Sequence, residues 1–126
     1  PQASGSITNP PDGASNVAAR KNLQVSGTAR AIPSGYRLDL FLQFGNSGNG
    51  TRYYIAADPK SAITLHSGHW AAPIYVGDPG YIIIRLVLLS PSEIAYVDSP
   101  SSAGYQENGF PALPGTTLAS ANYTAQ

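Results

Sequence analysis

The run Tyr81-Ile82-Ile83-Ile84-Arg85-Leu86-Val87-Leu88-Leu89 places eight apolar side chains in nine positions, between Gly80 and Ser90-Pro91. That length suits one strand and falls far short of the roughly 20 residues of a membrane-spanning helix, so no membrane span is expected. Side chains alternate along a strand, sending Ile82, Ile84, Leu86 and Leu88 to one face. Tyr81, Ile83, Val87 and Leu89 go to the other, with Arg85 among them. A strand in an ordinary two-layer sandwich buries only one face. The second face therefore needs cover from a tail, a loop or another subunit.

Period-two patterning recurs elsewhere. Leu38, Leu40, Leu42 and Phe44 alternate with Arg37, Asp39, Phe41 and Gln43, the clearest strand pattern in the chain. Leu23, Val25 and Ala29 share a face of a 23–29 strand in which Gly27 marks a bulge or a close backbone approach. Further strands are predicted over 51–57, around Ile63 and Leu65, over 70–76, over 94–97, and over 118–125 with Ala119, Ala121, Tyr123 and Ala125 on one face. Turn signals separate them: Pro10-Pro11-Asp12-Gly13, Pro33-Ser34-Gly35, Asn46-Ser47-Gly48-Asn49-Gly50, Asp58-Pro59, Ser67-Gly68 and Gly77-Asp78-Pro79-Gly80. No helical periodicity or cap is expected. The reading is all-β: a sandwich of about seven or eight antiparallel strands. Residues 1–22 form an extended lead-in, and 23–126 form the sandwich, with a long 98–117 loop and an extended C-terminal tail.

At 126 residues the chain fits one domain. Its seven basic and seven acidic side chains cancel, which leaves no electrostatic footprint for nucleic acid. Zero net charge also removes the repulsion that keeps molecules apart. There is no Cys, which excludes disulfides and zinc–thiolate sites. The start at Pro1, with no apolar signal region, fits a processed secreted chain or a trimmed one.

The order of motifs resembles the immunoglobulin-like modules of bacterial secreted and cell-surface proteins. The matching pieces are Ile7-Thr8-Asn9-Pro10-Pro11-Asp12-Gly13, Val25-Ser26-Gly27-Thr28-Ala29 and Pro33-Ser34-Gly35-Tyr36-Arg37-Leu38. Arg52-Tyr53-Tyr54, Gly68-His69-Trp70, Val76-Gly77 and the 81–89 run follow in order, with weaker support from Leu113-Pro114-Gly115-Thr116 onward. The resemblance implies a non-catalytic sandwich serving as spacer, adhesive or assembly unit, extracellular or at the cell surface. It carries no catalytic residues onto this chain.

Candidate chemistry is sparse. His66-Ser67-Gly68-His69 holds the only two histidines, and a metal would need a third ligand, so two turn histidines are expected and no metal or cofactor. No Gly-x-Ser-x-Gly elbow occurs. Asp12, Asp39, Asp58, Asp78, Glu93, Asp98 and Glu107 are the carboxylates from which a glycosidase pair would have to come, and most sit beside Pro or Gly in turns. No enzyme is expected. Phe41, Tyr54 and Trp70 are candidate sugar-stacking aromatics, weighed against aromatics filling a sandwich core. Asn49 and Asn122 sit in acceptor patterns for N-glycosylation.

The leading expectation is therefore a structural or adhesive unit acting by self-association, as a homo-oligomer or a homopolymer. The lead-in of one subunit would add as a strand to its neighbour, a head-to-tail operation that builds filaments. Candidate assembly contacts are Ile7, Ile83, Val87 and Tyr123. The alternatives are a polysaccharide-binding module using exposed aromatics, or an accessory domain of a secreted enzyme.

Overall fold

The computed structural model describes residues 2–44, 52–56 and 63–126. The strands are β1 (Ser4–Asn9), β2 (Lys21–Arg30), β3 (Arg37–Phe44), β4 (Tyr54–Ile55), β5 (Thr64–His66), β6 (His69–Val76), β7 (Gly80–Leu89) and β8 (Thr116–Ala125). Between β7 and β8 stand α1 (Pro91–Asp98), a 3-10 turn (Pro100–Ser102) and α2 (Ala103–Asn108). One sheet runs β1-β2-β6-β5 and the other β4-β3-β7-β8, with antiparallel pairing throughout. This order is that of an immunoglobulin-like sandwich: the first, second, fifth and sixth strands make one sheet, and the third, fourth, seventh and eighth the other. The immunoglobulin disulfide has no counterpart, and Leu40, fully buried, takes an inward position on β3.

Between the sheets the alternation is obeyed except at Phe44, which is exposed at the end of β3. Val25, Leu40, Ile74, Ile82, Ile84, Leu86, Ala121 and Tyr123 are buried in one cluster. β7 is central and β3 is its direct neighbour, in register from Arg37 opposite Leu89 to Phe44 opposite Ile82. The Asn46–Gly50 hairpin signal, Asp58-Pro59 and parts of the 51–57 strand lie outside the described residues.

Three expectations are corrected. The 94–97 segment is helical, not a strand, because Ser90 and Glu93 close a capping box ahead of α1. The Ser90 hydroxyl accepts from the Glu93 N–H at 3.3 Å, and the Ser90 N–H donates to Glu93 Oε1 at 2.8 Å. Pro91 then occupies the first turn, where its missing N–H costs nothing. The 98–117 segment is in good part helical too. Its buried Ser102 hydroxyl is satisfied by the carbonyls of Val97 at 2.8 Å and Ser99 at 3.0 Å.

The third correction concerns the lead-in, which belongs to the fold of its own chain. β1 pairs with β2, Ser4 opposite Arg30 and Ile7 opposite Gly27. After the turn at 10–13 the same segment crosses to the other sheet and lies along β8, with a parallel bridge from Val17 to Ala125.

Together α1, α2 and Phe110 roof the outer face of the second sheet. Phe41, Val87, Leu89, Val97 and Phe110 form a second apolar cluster there, all fully buried. The Val87–Leu89 end of the second face of the 81–89 strand is thus covered by a segment of its own chain, while Tyr81 stays exposed and Ile83 half-buried. Because α1 is only eight residues long, its cap is a large share of its local stability. Ser90→Ala is expected to cost about 1 kcal/mol, read as a lower chemical-denaturation midpoint. An unchanged midpoint would mean that packing alone holds α1.

Candidate assembly edge

A sandwich has four strand edges, and here they differ sharply. β4 and β5 are two and three residues long, too short to offer a pairing template. β1 and β8 are six and ten residues long. Part of β8 is closed by the lead-in. Gly13 N–H donates to Asn122 O at 2.7 Å, Thr124 N–H to Ala14 O at 2.9 Å, and Gln126 N–H to Val17 O at 2.9 Å. The Asp12 carboxylate accepts from the Asn122 N–H at 2.7 Å. Among the described residues, β1 has β2 as its only strand partner, so its outer edge stays open.

Trp70 holds that edge in place. Its indole N–H donates to Ser6 O at 3.0 Å and to Thr28 O at 3.1 Å, joining β1 and β2 to β6. Gly27 makes the approach possible, since a Cβ built there would lie 1.9 Å from Ser6 O. The close backbone approach expected at Gly27 is therefore present. On the outer face Ser6 Oγ and Thr28 Oγ1 stand 2.6 Å apart.

The two strands on this side carry no charged side chain, with the Asp12 carboxylate the charge set on the β8 edge. Residues 1–11 and 108–126 contain no Asp, Glu, Lys or Arg, and they supply β1 and β8. The two strands face one another across the sandwich: a Cβ on Gly5 would lie 2.7 Å from Leu86 Cδ2 and 3.6 Å from the Leu118 Cβ.

Of the candidate contacts read from the sequence, Ile7 lies on β1, Tyr123 on β8, and Ile83 and Val87 on β7. Ile7 is half-buried and packs inward against the main cluster. Val87 is fully buried under the helical roof, and Tyr123 is buried with its hydroxyl donating to Pro10 O at 2.6 Å. Neither offers a surface. Ile83 is half-buried, between Gln43 and Asn122.

The sugar-stacking set loses two of its three rings. Phe41 does point away from the main core, as the alternation predicted, but lies buried with its ring 6.0 Å from that of Phe110, edge-on. Trp70 is buried, and Tyr54 is half-buried with its ring edge-on to Phe44 at 5.6 Å. Tyr75 is the most exposed aromatic, at 55%. Asn49 lies outside the described residues, and Asn122 is half-buried on β8.

One ionic cluster went unread in the sequence. Arg37 donates to both oxygens of Asp39, each at 3.0 Å, and to both oxygens of Asp98, at 2.8 and 3.1 Å. Asp39 is wholly buried, while the Arg37 side chain is 22% exposed. Burial pushes the Asp39 carboxyl up to about 6, against the pull of Arg37. Arg37 moves the other way from cost, above its ordinary value, because the hydrogen bonds to Asp98 and Asp39 outweigh its lesser burial. Asp98 closes α1, so the cluster clamps the helical roof to β3. It is a structural clasp. The spacing Arg-x-Asp on one strand face was its available signal.

No protein-family model matches this chain, and no curated protein matches it. Among solved structures it is similar to one described as the crystal structure of the RIG-5 IG1 homodimer, at a TM-score of 0.40 and 7% identity, over 98% of this chain and 96% of that one. The fold assignment here rests on the strand order and pairing.

Proposed function

We propose that this immunoglobulin-like chain is a non-catalytic structural or adhesive unit outside the cell that associates with copies of itself through its β1–β8 side. One observation carries the reading: the two long strand edges and the two uncharged ends of the chain coincide on one side of the sandwich. Open edges in soluble proteins are normally guarded by charge, proline or shortness. β1 carries no charge or proline along its six residues, and its one irregularity is a register shift between Ile7 and Asn9. A second copy can supply the missing main-chain partners without charge repulsion, and zero net charge opposes the approach least. The extracellular setting is supported by the resemblance of the motif order to modules of secreted and surface proteins.

Both edges lie on one side, so a two-fold axis sets each copy's edge against the other's and closes the contact. This side by itself therefore gives a dimer; the filament expected from tail exchange needs a second surface. The expected result is a concentration-dependent dimer in sedimentation velocity. Ser4→Lys with Thr8→Lys, two exposed positions on β1, should leave a monomer with stability changed by no more than about 0.5 kcal/mol. A parent that stays monomeric at the highest attainable concentration, or a variant that associates as the parent does, sinks the reading.

A further inference from the structure

We infer that the β5–β6 hairpin carries a transition-metal site completed by a second copy of the chain. His66 and His69 are register partners across the two-residue turn Ser67-Gly68. Directly opposite residues of an antiparallel pair share a face, with Cβ atoms about 4.5–5.5 Å apart. Two imidazoles so placed can reach one ion at the roughly 2.0–2.1 Å of a zinc–nitrogen bond. Both residues are exposed. Among the described residues, neither ring has a hydrogen-bond or ion-pair partner to compete with a metal.

The hairpin is held in shape before any ion arrives. Ser67 and Gly68 both take positive φ, 53° and 80°, the turn that matches the twist of paired strands. The Ala29 N–H donates to Gly68 O at 2.9 Å and pins the turn to β2. The chain therefore presents a rigid, two-toothed imidazole donor, and imidazole suits zinc, nickel and copper.

Two ligands fill half of a tetrahedral shell. Among the described residues, no third His, Cys, Asp or Glu joins the pair. The same hairpin on a second copy supplies two more imidazoles across a two-fold axis, making a four-histidine site that neither chain has alone. β5 lies at the edge of its sheet opposite β1, while Thr8 of β1 lines the same open cavity as His66 and His69. Where this contact and the β1–β8 contact both operate, zinc joins edge-paired dimers into longer chains. Only that last step rests on the assembly reading above.

The test uses untagged protein carrying Ser4→Lys, a β1 change outside the cavity that His66 and His69 line, titrated with zinc chloride. Calorimetry should give about one ion per two chains, and sedimentation should give a dimer that a chelator dissolves. His66→Ala and His69→Ala, made separately, should each abolish the zinc-dependent dimer while melting as the parent does. No change of mass with zinc, one ion per chain without dimerisation, or a zinc dimer that survives either substitution overturns the site. If instead the edge reading fails, the unmodified chain is monomeric without zinc and still dimerises with it. The two failures are therefore separable.

Discussion

Replacing Arg37 by alanine is expected to cost the fold about 3–5 kcal/mol at neutral pH, the usual effect of removing one partner from a buried ion pair. The loss comes from what remains. Asp39 has no exposed surface, and without Arg37 its carboxylate keeps the desolvation penalty and loses both of its hydrogen bonds to the guanidinium. Asp98 is half-exposed, but the tie between α1 and β3 goes with the guanidinium.

The pH dependence separates this cause from a simple loss of packing. With its folded value raised from 3.8 to about 6, Asp39 binds more proton in the folded state than in the unfolded state across that interval. Its contribution is therefore most favourable below about 4, and stability falls as the pH rises through about 6. Removing Arg37 takes away the interaction that lowers the carboxyl, so the raised value moves further up. The penalty of Arg37→Ala should therefore shrink in acid, where Asp39 is protonated and no charge is left unpaired. Denaturant titrations at pH 4 and pH 8 measure this. A penalty equal at the two pH values, or an Arg37→Ala/Asp39→Ala double variant no more stable than Arg37→Ala alone, would contradict the orphaned-carboxylate account.

The strands were legible where one face met the main core. β2, β7 and most of β3 follow the alternation, since an inward position tolerates little but apolar volume, whereas Phe44 at the end of β3 is exposed and β8 shifts register so that Leu118 and Ala119 both meet the core. Phe41 shows the limit of that rule. Alternation told correctly that it points out of the sandwich, but could not tell that Val97 and Phe110 come back to bury it. The roof itself was hidden because α1 is eight residues long with one fully buried side chain, Val97, too little for a period to emerge. Ser90-Pro91-Ser92-Glu93 was the readable signal, an N-cap and its reciprocal partner. The lead-in was misread for a related reason. Polar, Pro-rich chain looks unable to order itself, yet its order comes from main-chain pairing with β2 and β8, which composition does not report. The His66–His69 pairing was visible as a spacing, and the register supplied the shared face.

Gly27→Ala should be the most damaging single methyl that can be added to this chain, costing about 3 kcal/mol or more. An alanine in place of a strand glycine normally gains roughly 0.4–1 kcal/mol by restricting the unfolded chain. That gain is available only where the methyl fits. At Gly27 the new carbon would lie 1.9 Å from Ser6 O and 2.8 Å from Ser6 C, both backbone atoms that no rotamer can move, and 3.0 Å from Trp70 Nε1. β1 must therefore shift away. Overpacking of this kind costs about 1–3 kcal/mol. The displaced Ser6 carbonyl also leaves the buried indole with Thr28 O as its remaining acceptor, a further loss of about 0.5–1.5 kcal/mol if the bond is not remade. The damage should be local before it is global. Amides of β1 and of the facing part of β2 should exchange faster in Gly27→Ala, while those of β3 and β7 keep their protection. Gly104→Ala supplies the opposite sign. It sits on α2 with nothing within 4 Å of the added carbon, so it should stabilise by about 0.5–1 kcal/mol. Since β1 is also the open edge, Gly27→Ala should lose dimerisation at temperatures where the rest of the sandwich is still folded. A Gly27→Ala protein as stable as the parent would mean that β1 is not held where Trp70 and Gly27 place it, and the assembly edge would fall with it.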